Sequence, residues 1–99
     1  MEIKEVVKRI GYFRYKKNLS ARELSLRLDK NESYINKLES NDFNLPTEML
    51  LKIIQSLEVS PEEFFSENYM NYDVDKELYN LIQSLSAEKK NHLIEFIKG

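Results

Sequence analysis

Apolar residues recur along this 99-residue chain at helical spacing, and the strand-like alternation of Val, Ile and Thr is missing. Ile3, Val7 and Ile10 fall on one stripe with Val6 and Phe13 beside it, which predicts a first helix over about residues 2–17. Gly11 weakens that helix slightly. Ser20-Ala21-Arg22-Glu23 has the capping-box spacing, in which a serine hydroxyl and a glutamate three residues on satisfy the first unpaired backbone amides. A second helix is therefore expected over about 21–28, with Ala21, Leu24, Ser25 and Leu28 on its inner face. Ala21 and Ser25 are small enough for another helix to come close. Asp29-Lys30-Asn31 reads as a turn, because Asp and Asn tolerate left-handed backbone geometry and can cap the next helix. A third helix over about 32–40 buries Ile35 and Leu38.

Ser40 to Pro46 then forms a loop that directs Phe43 or Leu45 into the core. Thr47 is expected to cap a fourth helix, where Leu50, Ile53, Ile54 and Leu57 repeat at i, i+3, i+4 and i+7. Ser60-Pro61-Glu62-Glu63 combines an N-cap, a proline at the first helical position and a glutamate three residues after the cap. It starts a short fifth helix, about 61–66, that turns Phe64 and Phe65 inward. A polar, aromatic joint, Glu67 to Tyr72, comes next. Beyond it Leu78, Leu81, Ile82 and Leu85, a break at Ser86, and then Leu93, Ile94 and Ile97 suit a pair of helices at about 74–85 and 87–98. The expected fold is all-α: a five-helix domain over 1–67 and a C-terminal helical hairpin over 68–99.

Composition narrows the function classes. With 41% apolar and 32% charged residues, the chain is too apolar for a disordered tail and too charged for a membrane span. Its longest apolar run, Met49–Leu51, falls far short of the roughly 20 residues a spanning helix needs. The first residues lack a signal-peptide stretch, so the cytoplasm is the expected location. Without cysteine there is no disulfide, thiolate metal site or Cys nucleophile, and His92 stands alone. Glu62 and Glu63 point about 100° apart on a helix and both serve its start. Neither an enzyme, a metal site nor a cofactor is expected. The net charge of −2 hides an asymmetry: residues 1–45 carry ten Lys/Arg against seven Asp/Glu, a net of +3, and residues 46–99 five against ten, a net of −5. The first half suits a phosphate surface; the second does not.

Two short helices joined by a three-residue turn, with a longer helix before and two after, have the shape of a helix-turn-helix unit. Val7-Lys8-Arg9-Ile10 through Arg14, Leu19-Ser20-x-x-Glu23-Leu24, Ile35-x-x-Leu38-Glu39 and Leu57-x-Val59-Ser60 resemble the phage-repressor/Cro-like (XRE) helix-turn-helix family over about residues 6–65. The resemblance implies a regulator of transcription that binds double-stranded DNA, most often a repressor acting as a dimer on an inverted-repeat operator. It also implies an Arg14–Glu39 salt bridge, which the residues themselves demand. Each lies four residues after a core isoleucine, Ile10 or Ile35, where a lone buried charge is expensive. The chain departs from the family at Ala21, where a phosphate-anchoring glutamine is usual. It departs again at Asp29 and Asn41, which replace glycines.

Base-reading candidates are the outward residues of the third helix: Glu32, Ser33, Asn36 and Lys37, with Tyr34 on the margin. Lysine can donate to guanine O6 and N7, asparagine can pair with adenine, and glutamate can accept from cytosine N4. Phosphate contacts are expected at helix starts, from Ser20, Arg22, Asn31 and Asn41, with Lys30 beside them. Arg9, Lys16 and Lys17 sit on a helix set back from the groove and are assigned to solubility. Leu78, Leu81, Ile82, Leu85, Leu93, Ile94 and Ile97 exceed what a free hairpin can hide. They either pack on helices 4 and 5 or meet a second chain, and a homodimer is the favoured outcome. A second reading is an antitoxin-like or regulatory module whose protein partner binds the acidic half; Ala21 and a pI near 5.5 point to it.

Overall fold

The structure, a computed structural model, describes residues 1–40 and 44–99. The expectations placed on Asn41 and Phe43 lie outside the described residues. Among those described, the elements are α1 (Ile3–Lys16), α2 (Ala21–Arg27), α3 (Tyr34–Ser40), α4 (Thr47–Ser56), α5 (Pro61–Phe65), a single 3-10 turn (Tyr69–Asn71), α6 (Tyr72–Gln83) and α7 (Ala87–Lys98), with no strand. They form two compact units, Met1–Phe65 and Ser66–Gly99.

In the first unit Val6, Ile10, Phe13, Leu24, Leu28, Ile35, Leu38, Ile53, Ile54, Leu57 and Phe64 make the core. Three helices end in the same way, through a non-glycine residue in left-handed conformation: Asn18 (φ 56°) after α1, Asp29 (φ 56°) after α2 and Glu58 (φ 57°) after α4. At each, two backbone amides return to the last turn. Leu19 N–H donates to Arg14 O at 2.9 Å and Asn18 N–H to Tyr15 O at 3.0 Å; Lys30 and Asp29 reach Ser25 O and Leu26 O, and Val59 and Glu58 reach Ile54 O and Gln55 O. This 6→1 and 5→2 pattern satisfies carbonyls a helix end would leave orphaned, and after α1 and α4 the next residue turns into the core, whereas Lys30 after α2 is exposed. Leu19 and Val59, which occupy that position, are buried.

Four local expectations need correction. Ile3 lies outside the buried stripe of α1, which is Val6, Arg9, Ile10 and Phe13. Its place at the very start of the helix leaves it exposed. Phe65 is 42% exposed, since adjacent helical residues diverge by about 100° and Phe64 takes the inward direction. Pro46, not Thr47, is the N-cap of α4: its extended backbone presents the carbonyl to Leu50 N–H at 3.0 Å, and Thr47 is the first helical residue. Arg9 is not a solubility residue. It is 5% exposed, and its Nη1 donates to Phe64 O at 2.8 Å while Nε donates to Glu5 Oε1 at 3.3 Å. It thereby supplies a partner to a carbonyl at the end of α5, where no further helical turn can.

In the second unit α6 begins at Tyr72, two residues before the expected start at 74. Ser86 caps α7 by accepting from Lys89 N–H at 3.2 Å. No residue of α6 or α7 is buried. Ile82, Leu85 and Leu93 are half-buried, whereas Leu78, Leu81, Ile94 and Ile97 are exposed. Among the described residues, no helix is long and apolar enough to cross a membrane.

Candidate nucleic-acid interface

The α2–α3 pair is joined at its centre by one buried serine. Ser25 Oγ donates to Ala21 O at 2.7 Å and accepts from Ile35 N–H at 2.9 Å. Ile35 is among the first residues of α3, so this amide has no partner inside its own helix. Ser25 therefore ties the start of α3 to the middle of α2, with Leu24, Leu28, Ile35 and Leu38 packed around it. Ser25→Ala should strand a buried amide and destabilise the chain by about 1–3 kcal/mol. Chemical denaturation measures this, and a loss below about 0.5 kcal/mol would show that the bond is dispensable.

The turn between the two helices extends further than expected. Asn31 Oδ1 accepts from Ser33 N–H at 2.9 Å and from Ser33 Oγ at 2.7 Å, an Asx turn that delays the helix. α3 consequently starts at Tyr34, not at about 32. Glu32 and Ser33 stand in the turn in front of it, and Ser33 and Asn31 are engaged with each other. Asn36 and Lys37 are exposed on the side of α3 opposite Ile35 and Leu38. Ser40, one turn on from Asn36, shares that side and donates its hydroxyl to Asn36 O at 2.7 Å. Ser40 is not among the residues expected from sequence, although its i+4 spacing from Asn36 is visible there. Tyr34 is half-buried with Lys30 Nζ 5.5 Å from its ring centroid, and burial pushes its phenol above the usual range.

Ser20 Oγ accepts from Glu23 N–H at 3.0 Å, so it caps α2. Arg22, on the first turn of α2, donates from Nε to Glu32 Oε2 at 3.1 Å. Arg14 and Glu39 come together behind this surface: Nη2 and Nε donate to Glu39 Oε1 at 2.8 and 3.0 Å, and Nε also reaches Oε2 at 3.1 Å. Arg14 Nη1 donates to Leu19 O at 3.1 Å, joining α1, the turn before α2 and the end of α3 at one guanidinium. Its pKa is raised, chiefly by the hydrogen bond to Glu39, against the opposing effect of burial. Lys16 pairs with Glu63 at 3.3 Å and Lys17 donates to Glu58 O at 3.3 Å. These two lysines, assigned to solubility from sequence, brace α1 against α5 and the turn before it. Leu78, Leu81, Ile82, Leu85, Leu93, Ile94 and Ile97 all belong to the second unit.

Among the described residues, no group of three or more His, Cys, Asp or Glu could hold a metal ion. The arrangement is a polar face on a short helix, preceded by a turn whose Glu32 pairs with Arg22 of α2, all clamped from behind. No curated protein and no solved structure matches the chain significantly. A family model described as a helix-turn-helix domain matches residues 7–70. That span takes in all but the first turn of α1 and the whole of α2 to α5, together with the Ser25 clamp, the Asp29 turn and the outer face of α3, and the chain belongs to the helix-turn-helix family, of the phage-repressor/Cro-like type.

Proposed function

We propose that this protein is a sequence-specific regulator of transcription that reads double-stranded DNA with the outer face of α3. The observation that carries the reading is that Asn36 and Lys37 project from a helix clamped to α2 through Ser25 while contributing nothing to the core. A side chain that reads a base edge must be held in place by a rigid element, and a bond to Ile35 N–H supplies that rigidity. Lys37 is assigned to guanine, Asn36 to adenine, and Glu32, Ser33 and Tyr34 to the flanking positions. Arg22 and Lys30 are assigned to the backbone phosphates, with Ser20, Asn31 and Asn41 as further phosphate contacts.

A single module of this size buries too little surface for tight specific binding, so the protein works as a homodimer on an inverted repeat, repressing by occupancy. The exposed Leu78, Leu81, Ile94 and Ile97 of the hairpin supply the apolar surface for a two-fold contact, flanked by the half-buried Ile82, Leu85 and Leu93. A second reading, a regulatory module with a protein partner on its acidic half, is favoured by the net charge of −5 over residues 46–99.

Selection from a random duplex pool tests the two readings together. The expected product is an inverted repeat whose half-sites lie about one helical turn, 34–36 Å, apart. Lys37→Ala should relax one base position and cost about 1–3 kcal/mol on the selected site. Failure of the wild type to enrich any sequence at low salt would favour the protein-interaction module. Enrichment with Lys37→Ala indistinguishable from wild type would remove Lys37 from the groove.

A further inference from the structure

Arg22 and Glu32 are ten positions apart in the chain, one on the first turn of α2 and the other in the turn that leads to α3. Their side chains meet at 3.1 Å although they are 67% and 62% exposed. An ion pair so open to water adds little to stability. The helices it spans are already held by the Ser25 bond to Ile35 N–H and by the apolar contacts around it. What the pair does accomplish is occupancy. A guanidinium recognises a carboxylate and a phosphate through the same donors and similar geometry, so Glu32, held by Arg22 Nε, occupies a donor that a backbone phosphate would use.

We propose that Glu32 is an internal phosphate mimic that restrains binding to DNA of the wrong sequence. This rests on the DNA-reading proposal above. Arg22 can engage a backbone phosphate fully only if Glu32 leaves it, and the freed carboxylate then stands beside the polyanion; where nothing repays that exchange the pair stays closed and Arg22 adds no phosphate contact. On most sequences that carboxylate meets only repulsion. Where a cytosine N4 amino group faces it, Glu32 gains a donor and the exchange is repaid. Arg22 supplies affinity for every duplex, and Glu32 withholds that affinity except where the base is correct. The pair therefore sets the ratio of specific to non-specific binding more than it sets affinity itself. It also offers a reason why a chain with Ala21 where a phosphate-anchoring side chain would stand carries an arginine at the next position, under local control.

The test compares full-length wild type, Glu32→Gln, Arg22→Gln and the double variant on a random-sequence duplex and on the selected site, across a salt series. The paired residues are exposed, so all four proteins should melt within a few degrees of one another, which checks that folding is intact. Glu32→Gln should bind the random duplex about twofold to fivefold more tightly at low salt, with a log–log salt slope steeper by about 0.9 as Arg22 takes one more phosphate. Its preference for the selected site should fall. In the Arg22→Gln background the same change should give a much smaller gain and no change of slope.

A gain from Glu32→Gln that persists undiminished without Arg22 would reduce Glu32 to simple repulsion and overturn the exchange. Unchanged binding by Glu32→Gln, with a wild type that does bind DNA, would overturn the inference while leaving the DNA-reading proposal intact. If none of the four proteins binds duplex DNA at low salt, both fall together.

Discussion

Phe64→Ala should destabilise the protein by about 3–5 kcal/mol, the usual range for deleting a buried phenyl ring from a packed core. Phe64 is fully buried, and its ring stacks on that of Phe13 at 5.6 Å with an interplanar angle of 28°. Phe65 meets it edge-on at 5.0 Å. The Phe64 carbonyl receives Arg9 Nη1, so a collapse of α5 into the vacated space also removes one hydrogen bond from a guanidinium that is almost fully buried. A unit of about this size has only about 5 kcal/mol to lose, and the variant should be largely unfolded at 37 °C. Urea denaturation followed by circular dichroism measures the loss. Phe64→Leu, which keeps most of the volume, should fold and lose less. A loss below about 1 kcal/mol for Phe64→Ala would mean that the Phe13–Phe64 stack does not hold α5 to α1.

Glu39→Ala should cost about 2–3 kcal/mol and lower Tm by roughly 10–20 °C. Breaking a fully buried pair costs about 3–5 kcal/mol, but Arg14 and Glu39 side chains keep 13% and 17% of their exposure, and water reaches the charge left behind. Arg14→Met should cost a similar amount, because it also removes the donor to Leu19 O. The double variant should be less damaged than the sum of the two, since neither orphaned charge remains. Thermal unfolding of the three variants provides the cycle, and additive losses would show that the pair is not coupled. The sign with pH is set by the raised pKa of Arg14. Its contribution is fully present below the ordinary arginine range and is lost only as pH rises through the still higher folded value. Across the working range Arg14 stays charged, and the pair should not weaken on the arginine side.

The Arg14–Glu39 contact is legible in the residue order because two arithmetic facts coincide. Each charge sits four residues after an isoleucine that must be buried, and only an opposite charge makes such a position tolerable. Arg9 has the same kind of placement, three residues after Val6, yet its sequence context suits a surface residue. Besides Glu5, four positions back, it bonds a backbone carbonyl 55 positions away, and carbonyls leave no trace in residue identity. The position of Glu32 is hidden for a related reason. Its type suits a first helical turn, but the Asn31 side chain captures Ser33 N–H first and moves the start of α3 to Tyr34. Local competition between a side chain and the helix decides such boundaries, and its outcome depends on geometry that propensity does not encode.

The residue order alone determined the all-helical class, the approximate extent of the helices, the serine caps at Ser20 and Ser60, the break at Ser86 and the turn at Asp29, because each depends on neighbours within four or five positions. It also specified the polar outer side of α3, since Ile35 and Leu38 leave Asn36 and Lys37 no other direction. Only the tertiary structure decided that Ser25 clamps Ile35 N–H, that Arg9 holds the end of α5 and that Arg22 rests against Glu32. Those contacts join groups from ten to 55 positions apart, and a hydrogen bond at about 3 Å is set by where the packed helices come to rest, not by the spacing of residues along the chain.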